Sequence, residues 1–192
     1  MHHGDAVRQA RGFSLLEVLV AMSIVAVGVA ALAQLSIVAI RATDSAKTTT
    51  VAAVLAQQKM EQLRGLTWGI DALGMAVSDT TTDVVSGGSS ADGFGLSASP
   101  ADALRRNTPG YCDFVDGSGH SLGGGPAPPS GAVYVRRWSV TPLPANPDHT
   151  LVLQVLVSHV RDRSMADAAD SATRRPGEVR LVSVKTRKAA VR

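Results

Sequence analysis

Cys112 is the one cysteine in the chain, which rules out an intramolecular disulfide. The fold must therefore hold by core and sheet alone. The thiol is left as an intermolecular bridge, a reactive group or a small, partly buried hydrophobe. Large aromatic side chains are also scarce, at three Phe, two Tyr and two Trp, so any globular core is modest. Proline is missing between Met1 and Ser99, and nothing of that kind interrupts a helix over the first half of the chain. Gly and Pro gather instead between Gly87 and Pro147, a loop-rich composition. His120, His149 and His159 are scattered, and no His, Cys or carboxylate cluster has metal-ligand spacing. A GxSxG elbow, an HExxH pair and a P-loop are all absent. These absences argue against an enzyme and imply no cofactor, no metal and no small-molecule substrate. The net charge of +3 is spread over both ends rather than gathered in a basic stripe, which disfavours nucleic acid as a partner. Arg136, Arg137, Lys185, Arg187, Lys188 and Arg192 read as solvated charges, since no aromatic interleaving marks a nucleic-acid platform.

What the chain does have is one long apolar run. Residues 18–40 contain no Asp, Glu, Lys, Arg or His. At about 1.5 Å per residue they make some 35 Å of helix, enough to cross hydrocarbon with slight tilt. Arg8 and Arg11 precede the run, favouring an N-terminus in the cytoplasm and an exported C-terminal part. A secretory signal peptide fits less well, because its apolar region is about 7–15 residues and ends at a small-residue cleavage site. Here helix-compatible sequence continues. Ala52, Leu55, Ala56, Met60 and Leu63 recur at three to four residues and form one apolar face. Gly65 stands where a C-cap glycine would, so the expected helix covers residues 13–64, roughly 78 Å.

The start of that helix is its most informative part. Gly12, Phe13, Ser14, Leu15, Leu16 and Glu17 follow Arg11 directly. A carboxylate this close to a membrane-length run costs roughly 2.5–3.5 kcal/mol on insertion scales and is usually retained for a partner. A short basic leader, a Gly-Phe junction, a carboxylate four residues on and a long apolar helix together resemble the type IV prepilin family, which includes pilins and the pseudopilins of type II secretion. The resemblance covers about the first 65 residues. It implies cleavage between Gly12 and Phe13 by a prepilin peptidase, N-methylation of Phe13, and Glu17 as the assembly carboxylate. The segment holding Leu55, Gln57, Gln58, Lys59, Met60, Glu61 and Leu63 is similar to the helix end of PilV-type minor pilins and of GspI-like minor pseudopilins. The alternative for Glu17 is a tolerated interfacial carboxylate in an ordinary single-span anchor.

Residues 66–131 read as irregular, with Ser86 to Ser90 and Gly123 to Pro129 as loop compositions. The segment from Asp116 to His120 reads as a solvated turn, since it lacks the ligand series of a calcium loop. Three strands are expected at residues 132–141, 151–160 and 178–186, joined as an antiparallel meander. Residues 151–157 would be central, with Trp138 packed into the join with the helix and residues 161–175 as an excursion. The expected fold is α+β and pilin-like, a long N-terminal helix on a small antiparallel sheet with long loops. Its organisation would be a leader at 1–12, a membrane and assembly half of the helix at 13–40, an amphipathic half at 41–65, a loop-rich region at 66–131 and a sheet region at 132–192.

The function this implies is a minor type IV pilin, processed and incorporated into a pilus, with other pilin subunits and the bacterial inner membrane as partners. Removing residues 1–12 leaves a mature chain that is large for a GspI-like subunit. A minor pseudopilin of type II secretion and a single-span anchored binding module are the alternatives.

Overall fold

The computed structural model describes residues 12, 14–85, 94–160 and 177–188. The expected leader up to Arg11, Phe13, the loop at Ser86 to Ser90, the excursion at 161–175 and Arg192 lie outside the described residues. The chain falls into two units, Met1–Asp44 and Ser45–Arg192. One helix, α1 (Leu15–Gly65), contributes to both. In the first unit it is the sole described element. Its large apolar side chains are solvent-exposed there, from Leu15 at 83% to Ile40 at 62%. Its apolar window has a mean hydropathy of 2.5 and is long enough to cross a membrane.

The second unit sets α1 against a sheet. Six strands follow the helix: β1 (Trp68–Ile70), β2 (Ala76–Ser78), β3 (Cys112–Val115), β4 (Tyr134–Pro142), β5 (Thr150–His159) and β6 (Val179–Thr186). The main sheet has the order β3-β4-β5-β6 and is antiparallel throughout. The three expected strands are present within a residue or two of their predicted ends. β4 and β5 share the centre, because β3, unforeseen in the sequence, covers the other side of β4. Region 66–131 is thus not wholly irregular. It also supplies the hairpin β1-β2.

The buried face of α1 consists of Ala52, Leu55, Ala56, Lys59, Met60 and Leu63. The five apolar positions are those the periodicity gives. They pack with Trp138, Val140, Leu151, Leu153, Val155 and Val157 from β4 and β5 in one core. Period-2 alternation sends odd-numbered β5 residues inward, while Val152, Gln154 and Leu156 are half-buried on the other face. Trp138 is wholly buried in that core, as expected.

Two expectations are corrected. Gly65 does not cap the helix in a left-handed conformation, since it is not among the positive-φ glycines. Lys185 of β6 does that job instead, its Nζ donating to the carbonyls of Arg64 and Leu66, the latter at 2.7 Å. A cation at the negative end of the helix dipole satisfies groups that a glycine turn would otherwise serve. Arg136 and Arg137 are not solvated; they are 3% and 1% exposed. Adjacent residues of a strand point to opposite faces. Arg136 meets Asp113 and Gln58, while Arg137 meets Asn107 on the other face.

Gly110 shows how tightly the loops are set. Its φ is +77°, and a Cβ built there would lie 1.7 Å from the Phe94 ring. That ring stacks at 5.3 Å on Tyr111. Gly110→Ala should cost about 1–3 kcal/mol, combining left-handed strain with displacement of Phe94. Thermal denaturation followed by circular dichroism checks it. An unchanged midpoint would show that Phe94 moves aside freely.

Candidate functional site

The N-terminal site is built from a helix start. Ser14 precedes the first helical residue, Leu15. Its Oγ accepts from the Glu17 backbone N–H at 3.2 Å, and the Glu17 carboxylate accepts from the Ser14 N–H at 3.3 Å. The Ser14 carbonyl accepts from the Val18 N–H at 3.2 Å, the first bond of the ladder. This is a reciprocal capping box, in which an N-cap serine and a glutamate three residues on satisfy each other's backbone donors. The Ser14-x-x-Glu17 spacing could have revealed it from sequence. The carboxylate also sits at the N-terminal, positive end of the helix dipole. Gly12 is exposed, with nothing within 4 Å of a Cβ built on it. Phe13 lies outside the described residues. So the structure brings Glu17 together with Ser14, and leaves Gly12 open beside them.

A second polar cluster sits in the head and was invisible in the sequence. Lys59 of α1, Asp113 of β3 and Arg136 of β4 meet at the helix–sheet join. Asp113 takes a bidentate pair from Arg136, Nε and Nη2 each at 2.7 Å, and Lys59 Nζ at 2.9 Å. Lys59 also donates to the Val84 carbonyl and lies 4.2 Å from the Trp138 ring centroid. All three of its ammonium hydrogens therefore have a direction to go. Lys59 and Asp113 are wholly buried. Burial pushes the Lys59 amine down to about 8, against the opposing pull of Asp113. Among the described residues, no group of three His, Cys, Asp or Glu side chains could hold a metal ion.

Comparison with known proteins bears on the first site. Residues 7–33 match the model described as the prokaryotic N-terminal methylation motif. The matched stretch contains Gly12, Phe13 and Glu17 and runs into the apolar half of α1. It is a class III signal and supports the type IV prepilin family for this chain. With a long N-terminal helix on antiparallel sheet, the fold is α+β and consistent with a pilin. The motif and the long apolar helix together support a pilin or pseudopilin precursor with a membrane-anchoring N-terminal helix. Such precursors imply a prepilin peptidase and further pilin subunits as partners. No curated protein and no solved structure matches the chain.

Proposed function

We propose that this protein is a minor type IV pilin. The peptidase cuts between Gly12 and Phe13, Phe13 is methylated at its new amine, and the mature subunit enters a pilus through its apolar helix. Leader, membrane half, amphipathic half, loop-rich region and sheet region follow one another at 1–12, 13–40, 41–65, 66–131 and 132–192. Before assembly the subunit spans the inner membrane once, with the N-terminus in the cytoplasm. The observation that carries this reading is the methylation motif laid over a membrane-length helix whose apolar side chains are exposed. Exposed apolar surface of that extent needs lipid or neighbouring helices to cover it. In the filament, Glu17 meets the Phe13 amine of a neighbouring subunit, and the two charges neutralise each other in a low-dielectric setting. The likeness of the segment around Lys59 to PilV-type subunits supports the minor branch and a part in initiating or modifying assembly.

The capping box supports a second reading of Glu17. Its carboxylate already has a partner within the same chain, so a single-span anchor would keep it as a helix cap alone. Mass spectrometry of the N-terminus, from membrane and sheared-filament fractions, separates the two readings. With the cognate peptidase present, the expected chain starts at methylated Phe13; without it, Met1 is retained. An intact N-terminus in both conditions would remove the pilin pathway and leave the anchored binding module.

A further inference from the structure

Lys59 is a buried titratable group that neither cleavage nor assembly uses. It is also the fastening of a surface segment. Residues 79–82 are held to residues 94–96 by backbone bonds, Gly95 N–H to the Thr82 carbonyl and Leu96 N–H to the Asp79 carbonyl. Among the described residues, nothing gives 83–85 a backbone bond of that kind. The Val85 N–H turns back to Asp83 Oδ1 within the segment itself. Among the described residues, one hydrogen bond joins 83–85 to the rest of the second unit: the Lys59 ammonium donating to the Val84 carbonyl. The Val84 side chain, wholly buried, plugs the core above that link.

We propose that residues 83–85 are a closure over the helix–sheet join, which opens by withdrawing Val84 from the core and letting water reach Lys59.

The geometry makes such an opening local. Val84 leaves the core together with the half-buried Val85 packed at its edge, while Asp113 stays paired with Arg136 through two hydrogen bonds of its own. The charged groups acting on Lys59 are Asp113 from β3, Arg136 from β4 and Asp83 from the closure. Arg136 opposes its charge, whereas the two carboxylates favour it, and desolvation outweighs them all. Closed, Lys59 gives up its proton near pH 8; wetted by opening, it returns toward the ordinary 10.5. Between those values the open form binds a proton that the closed form lacks. Raising pH across that window therefore favours closure, and below it the balance is flat. The device tightens in alkali and is loosest at neutral and acid pH.

Hydrogen exchange on the full-length protein in detergent micelles, pulsed at pH 6.5 to 9.5, reads this directly. Once corrected for intrinsic rate, protection of a peptide covering 79–85 should be flat below about pH 8. Above it, protection should rise by up to about tenfold per pH unit, the limit for one linked proton. Lys59→Met should remove the rise, and Lys59→Arg, which keeps its charge throughout, should remove it too if the methionine variant fails to fold. Three results would overturn the proposal: flat protection in the wild type, a rise that persists in either variant, or a rise shared by β4 and β5 peptides, which would make the opening global.

Discussion

Asp113→Ala should unfold much of the head, losing about 3–5 kcal/mol. The residue is wholly buried and is the shared acceptor for Lys59 and Arg136. Its removal leaves two cations side by side out of water, with Gln58 Oε1 and the Val84 carbonyl as their neutral partners. Neutral acceptors do not offset the desolvation of two charges. A small domain has about 5–15 kcal/mol of stability in all, so a loss of this size is a large share of it. The same argument predicts a rescue. Replacing all three together, as Lys59→Met, Asp113→Leu and Arg136→Met, removes every charge of this cluster at similar volume and should recover most of the loss, since buried ion clusters are often replaceable by apolar groups. Chemical denaturation followed by circular dichroism measures both. If Asp113→Ala lies within 1 kcal/mol or so of wild type, water reaches the cluster and the account of it as dry is wrong.

Glu17→Ala should leave cleavage intact and reduce incorporation into sheared filaments by about tenfold or more, a loss of roughly 1.4 kcal/mol or greater per subunit contact. Alanine removes two things at once, the cap on the Ser14 N–H and the charge offered to a neighbour. Glu17→Gln separates them. Glutamine serves in a capping box as glutamate does, but it cannot neutralise an amine. If the carboxylate pairs with a neighbour's amine, the Gln variant fails in assembly like the Ala variant while retaining the helix start. Wild-type incorporation of Glu17→Gln would end that reading and make the carboxylate a cap. The measurement is the ratio of processed subunit in filament and membrane fractions.

Much of this architecture is legible in the sequence because it is written in periodicity. The recurrence of Ala52, Leu55, Ala56, Met60 and Leu63 fixes the buried helix face, and runs of β-branched residues mark β4, β5 and β6. Lys59 escapes notice because a lysine beside Met60 on an amphipathic helix belongs, by type, to the wet side. What draws it inward is Asp113, a residue 54 positions away whose strand is itself hard to see. β3 is four residues long and carries an aspartate on its core-facing side, which breaks the apolar alternation a strand would show. Each member of the cluster hides the other, since a buried charge is intelligible only with its partner present. Arg136 fails for the same reason. The N-terminal site is different in kind. Spacing, charge and length mark its residues locally, and no tertiary contact is needed to find them.

The bonds from Lys185 to the carbonyls of Arg64 and Leu66, on either side of the end of α1, have a mechanical consequence. A subunit held by its helix in a fibre under tension receives force along that helix. At Gly65 the covalent chain leads into the short hairpin β1-β2 and then into loops, a longer path to the main sheet. The Lys185 bonds and the ion cluster at Lys59 hand the force across to β6, β3 and β4 before it enters that longer path. The described part of residues 66–111 is thereby relieved of that load, and its core side chains Trp68, Val84, Leu96, Ala103 and Tyr111 are left to serve packing alone.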